Sequence, residues 1–76
     1  MITKITTLIG RACRAWRVEH GYTQKQVGYD TGYVQSNISL FECGMNDNMT
    51  ILMWYISHGF NPVEVLKGAD EDGIER

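Results

Sequence analysis

From Ile5 onward the apolar residues fall at Ile5, Leu8, Ile9, Ala12, Cys13 and Trp16. Gaps of three alternate with gaps of one, which lays a single apolar stripe along a helix. The pattern predicts a first helix to about His20, with Gly21 able to take the left-handed conformation that ends a helix. Thr23 with Gln26 three positions later has the form of a capping box, so a second helix begins there. That helix is short, because Gly32 arrives after two turns. Gly28 inside it predicts a tight helix-helix contact, since a mid-helix glycine otherwise costs about 0.5 to 1 kcal/mol relative to alanine. Val34, Ile38 and Phe41, at i, i+4 and i+7, define a third helix of about nine residues with Gly44 as its end signal.

Met45 to Asn48 forms a polar loop. Ile51 to Ile56 is apolar on nearly all sides, as expected of a helix buried at the centre of a small bundle, and Gly59 closes it. Asn61-Pro62-Val63-Glu64 combines a capping Asn, a Pro at the first helical position and an early Glu, which starts a fifth helix ending near Gly68. Residues 68–76 are acidic and poor in core formers and read as a flexible tail, which leaves 1–67 as the domain. No segment alternates β-branched with polar residues, so the expected class is all-α, a compact five-helix bundle.

Composition narrows the picture further. The 76 residues hold one small core, and 43% hydrophobic with 21% charged residues is a globular balance, not a disordered one. The run Ile51 to Ile56 is far short of the roughly 20 residues that span a bilayer, and no charged-then-apolar leader opens the chain, so a soluble, cytoplasmic protein with no membrane partner is expected. Cys13 and Cys43 fit no zinc or thioredoxin-type spacing and read as free thiols. A core this size buries only about 60% of the unfolded surface, which favours self-association, as a homodimer. The net charge of -2 hides a split: Lys4, Arg11, Arg14, Arg17 and Lys25 all lie upstream of Gly44, whereas acids dominate downstream. Even so, the overall balance is far from the basic signature of a nucleic-acid binder.

The series Thr23-Gln24-Lys25-Gln26-Val27-Gly28, Gly32-Tyr33 and Ser36-Asn37-Ile38-Ser39-Leu40-Phe41-Glu42-Cys43-Gly44 resembles the lambda-repressor-like, Cro/C1-type helix-turn-helix family. Arg17 upstream and the Asn-Pro start of the last helix fit the same frame, so the likeness covers roughly residues 8–67. The resemblance implies a five-helix bundle whose second and third helices form the DNA-reading pair, with double-stranded DNA as the partner. It also implies that Arg17 and Glu42 are a structural ion pair linking the ends of helices one and three.

In that frame Gln35, Ser36 and Asn37 open the recognition helix, 35–43. Gln and Asn can bond an adenine edge in bidentate fashion, worth about 1 to 3 kcal/mol of discrimination each; the alternative is that short polar residues merely start a helix. Gln24 and Lys25 stand at a helix amino end, where free N-H groups and the dipole favour a backbone phosphate, or they form an ordinary solvated helix start. Ser39 joins them as an expected phosphate contact. Arg11 and Arg14 add long-range attraction or simply solvate helix one.

Several residues depart from the family. Val34 stands where a capping Ser or Thr is usual, which forgoes about 1 kcal/mol. Leu40 and Cys43 occupy positions where basic or polar residues are common, and the loop 45–48 has no Lys or Arg. Ser36, Leu40 and Cys43, extended by Met45, form a row that can contact thymine methyls, grip a protein partner, or mean nothing. A scaffold turned to protein-protein interaction through Val34, Leu40, Cys43 and Met45 is therefore the alternative to a DNA-binding regulator acting by operator occupancy.

Enzymatic readings find no support. His20 and His58 have no ligand-spaced partners, Cys13 and His20 lie about 10 Å apart along one helix, and no metal or cofactor is expected. The histidines read as helix-end residues, and Trp16, Trp54, Tyr55 and Phe60 as core.

Overall fold

The computed structural model describes residues 2–73, with side chains described over 5–68. Five helices follow one another: α1 Ile2–Glu19, α2 Gln24–Thr31, α3 Gln35–Glu42, α4 Met49–Ser57 and α5 Pro62–Gly73. Among the described residues there is no strand, so the all-α, five-helix architecture is as expected. None of these helices is long and apolar enough to cross a membrane.

Local chemistry sets the boundaries. The α1 stripe buries Ile9 and Cys13 and packs Ala12 and Trp16 against the core. After α1, Tyr22 N donates to Arg17 O at 3.0 Å, closing the helix around the left-handed Gly21. Thr23 Oγ1 accepts from Gln26 N at 3.0 Å; the Gln26 side chain stays exposed, so half of the expected capping box forms. Gly32 takes φ 84° and its N-H bonds Gly28 O, a conformation that L side chains avoid, and this turns the chain sharply into α3. Asn48 caps α4 through Oδ1 to Ile51 N at 3.1 Å, and Asn61 Oδ1 accepts from Val63 N at 3.0 Å.

Two glycines measure how closely the elements pack. A Cβ at Gly28 would lie 2.7 Å from Tyr33 O. The predicted close approach at Gly28 is real: its nearest neighbour is the α2–α3 turn, and Gln35 N and Ile38 Cγ1 of α3 would lie 3.8 Å from the same Cβ. A closer helix contact is at Gly10, where a Cβ would sit 2.3 Å from Phe41 O. There the backbone of α1 presses on the end of α3.

The core comprises Ile9, Cys13, Val27, Ile38, Phe41, Ile51, Trp54, Tyr55 and Phe60. Trp54 Nε1 donates to Asp30 Oδ2 at 3.0 Å and ties α4 to α2. Stacked Trp-His pairs close two helices: Trp16 with His20 at 4.1 Å and Trp54 with His58 at 3.9 Å between ring centroids.

Three expectations need correction. α4 is not buried all round: Met49, Met53 and Ile56 are exposed, because the helices packed on it cover one side only. α5 does not stop near Gly68 but continues to Gly73, since Gly68 does not adopt the positive φ of the helix-ending glycines; of the expected tail, residues 74–76 lie outside the described residues. Helix one begins at Ile2, ahead of the predicted start, as no helix breaker separates Ile2 from Ile5.

Candidate functional site

The site is built on a buried ion pair. Arg17, near the end of α1, and Glu42, the last residue of α3, are 8% and 2% exposed. Arg17 Nε donates to Glu42 Oε2 at 2.7 Å and Nη2 to Oε1 at 3.1 Å, the bidentate geometry that a planar guanidinium offers a carboxylate. Arg17 Nη1 also donates to Tyr22 O at 2.9 Å. Two further donors reach Glu42: Tyr55 Oη at Oε2, and Gln24 Nε2 at Oε1, 3.1 Å away.

The electrostatics follow from this arrangement. Burial on its own raises the Glu42 carboxyl, but donation from Arg17, Tyr55 and Gln24 with the Arg17 charge outweighs it and holds the group below the usual carboxylate range. The bond to Glu42 raises Arg17 against the opposing effect of burial. Burial, then the bond to Glu42, pushes Tyr55 well above its ordinary value. Burial and the Glu42 charge push the Cys13 thiol up to about 12, so it stays a neutral core residue.

Outward from the pair runs a chain of amides. A carboxylate only accepts, so Gln24 must turn its NH2 toward Glu42 and its oxygen away. That oxygen accepts from Gln35 Nε2 at 3.3 Å. Gln35 therefore faces Gln24 with its own NH2, and keeps Oε1 and its second N-H for a partner in solvent. Gln35 is exposed at the first position of α3, with Ser36 beside it.

The remaining expected residues divide. Lys25 is exposed at the start of α2, whereas Asn37 and Ser39 are half-buried and present less of themselves than Gln35 and Ser36 do. Gln24 is half-buried and engaged at both ends of its amide, which joins it to the network. Val34 takes the N-cap position of α3 with no side-chain cap. Val34, Leu40, Cys43 and Met45 are all exposed.

The structure also brings in residues that sequence reasoning passed over. A hollow of about 400 Å³ opens beside Gln35, bordered by Lys25 and Tyr29 of α2 and by Tyr33 and Val34 of the turn. Tyr29 is 88% exposed. Its position four residues after Lys25 puts both on one face of α2, a spacing visible in the sequence once α2 is placed. Tyr55 lies in the core, as its helical spacing predicts; its bond to Glu42 has no local sequence signal.

Among the described residues no group of His, Cys, Asp or Glu is arranged to hold a metal ion. Compared with known protein families, with curated proteins and with solved structures, the chain matches none.

Proposed function

We propose that this chain is a sequence-specific DNA-binding regulator in which α2 and α3 act as a helix-turn-helix and the front of α3 enters the major groove. The observation that carries this function is the amide chain from Glu42 through Gln24 to Gln35. It fixes the polarity of an exposed side chain at the first position of α3, leaving an acceptor and a donor side by side. An adenine edge offers the complement, N6-H2 and N7, in the major groove. Ser36 is the second candidate for base contact, Asn37 the third and less exposed one, and Lys25 and Ser39 are the candidates for the backbone.

Regulation is steric on this proposal: occupying a short operator excludes or recruits polymerase without chemistry or cofactor. A cytoplasmic homodimer with two recognition helices about one helical turn of DNA apart, roughly 34 to 36 Å, fits such a role. Selection from random-sequence duplexes tests it. An enriched short site, with binding lost in Gln35→Ala, supports the proposal; no enrichment at low salt refutes it.

A second function is favoured by one specific observation. Val34, Leu40 and Met45 are large apolar side chains exposed around α3, a surface that a protein partner would cover. Substituting Leu40 and Met45 with Ser abolishes partner capture on that alternative and leaves duplex binding nearly unchanged on the first.

A further inference from the structure

The chain is acidic overall, yet a DNA-binding protein draws nearly all of its sequence-independent affinity from cations on phosphates. Among the described residues the cations are few. Arg17 is occupied by Glu42, Lys67 lies on α5, and Lys25 stands alone on α2. Arg11 and Arg14 are exposed on α1 and, among the described residues, have no carboxylate in ion-pair contact.

These two arginines are three positions apart and so are neighbours on one helix face. With Ala15, Glu42 and Cys43 they border a hollow of about 450 Å³ at the junction of α1 with the end of α3. The short Ala15 side chain leaves the space open. Glu42 does not cancel the positive charge there, because its carboxylate is taken by Arg17, Tyr55 and Gln24. The carboxyl end of α3 contributes about half a negative charge. One guanidinium would leave the hollow only weakly attractive to an anion, whereas two make it clearly so.

Position gives the anion its identity. α3 has eight residues, so it is about 12 Å long, similar to the major groove's width of about 12 Å. Lys25 is near the leading end of α3 and the arginine pair is at its trailing end, which matches phosphates on the two walls of one groove. The loop that follows α3 has no base to do this, only Asp47.

We infer that Arg11 and Arg14 form a phosphate site that clamps the DNA backbone at the trailing end of α3. The inference rests on the function proposed above. Guanidinium forks match phosphate oxygens in geometry as well as charge.

The test uses the full chain and a random-sequence duplex between about 50 and 200 mM salt. In Arg11→Gln/Arg14→Gln the slope of log affinity against log salt falls by about 2, close to 0.9 for each contact, and each single variant loses half of that. The ratio of affinities for the selected and random duplexes stays constant. Lys67→Gln is the control for net charge and leaves the slope unchanged. Duplex binding with an unaltered slope in the double variant, or an equal loss in Lys67→Gln, overturns the arginine site while leaving the DNA-binding function standing. A wild-type chain that binds no duplex at any salt overturns both.

Discussion

Gln35 Nε2 donates to Gln24 Oε1 at 3.3 Å across the α2–α3 turn, and the direction of that bond is dictated by Glu42 on the far side of Gln24. A buried acceptor thereby sets the polarity of a surface amide two hydrogen bonds away. If Gln24 acts by orienting Gln35, Gln24→Met weakens the selected site far more than random duplex, and its effect overlaps that of Gln35→Ala. A double-mutant cycle then shows a coupling of about 0.5 to 3 kcal/mol. Additive effects, with equal weakening on every sequence, would mark Gln24 as a plain phosphate contact.

Removing the Glu42 carboxylate strands Arg17 inside the bundle. Glu42→Ala is expected to destabilise the fold by about 3 to 5 kcal/mol, read as a large drop in Tm or in the denaturant midpoint. Tyr55→Phe removes one donor to the same carboxylate and is expected to cost about 1.5 to 3 kcal/mol. An unchanged Tm in Glu42→Ala would show that the pair does not hold α1 to α3.

The same network sets the response to pH. Glu42 is held below its ordinary value, so in acid the unfolded chain binds the proton first. Its contribution to stability is complete above the unfolded carboxylate value of about 4.3 and is lost as pH falls through the lower folded value. Tyr55 and Cys13 are raised, so their contributions are present below the unfolded values, about 10 and 8.5, and decline as pH rises beyond them. Thermal melts across pH are expected to show loss on both sides, with the acid limb flattened in Glu42→Gln and the alkaline limb flattened in Tyr55→Phe. Identical acid limbs in wild type and Glu42→Gln would contradict the assignment.

Val34 sits at the N-cap of α3 with extended φ and ψ of -74° and 157° and no side-chain cap. A Ser or Thr there can accept from an N-H of the first turn without moving the backbone. Val34→Thr is therefore expected to stabilise the protein by about 0.5 to 2 kcal/mol, and Thr23→Ala, which deletes the cap of α2, to destabilise it by a similar amount. Calorimetric melts of the two variants check both signs.

Much of the fold was legible because its signals are local. Thr23 announces the start of α2, Gly32 and Gly44 the ends of α2 and α3, and the spacing of Val34, Ile38 and Phe41 places the buried side of α3. Asymmetric burial of α4 was not legible: Ile51 to Ile56 is uniformly apolar, and only the arrangement of the other helices decides that Met53 and Ile56 face outward. At the site, the Arg17 and Glu42 pairing came from the motif resemblance, while the roles of Gln24 and Tyr55 depend on bonds to Glu42, which is 18 and 13 residues away from them. Residue type alone suggested Asn37 as an open reader; its position on the turning helix half-buries it.

The most direct measurement is duplex selection with the wild-type chain followed by affinity of the winning site for wild type and Gln35→Ala. Enrichment of a short adenine-containing site, with discrimination reduced by about 1 to 3 kcal/mol in the variant and weak salt-sensitive association retained, is the expected result. A pool that enriches nothing at low salt, or a winning site bound equally by Gln35→Ala, would contradict groove reading by the front of α3.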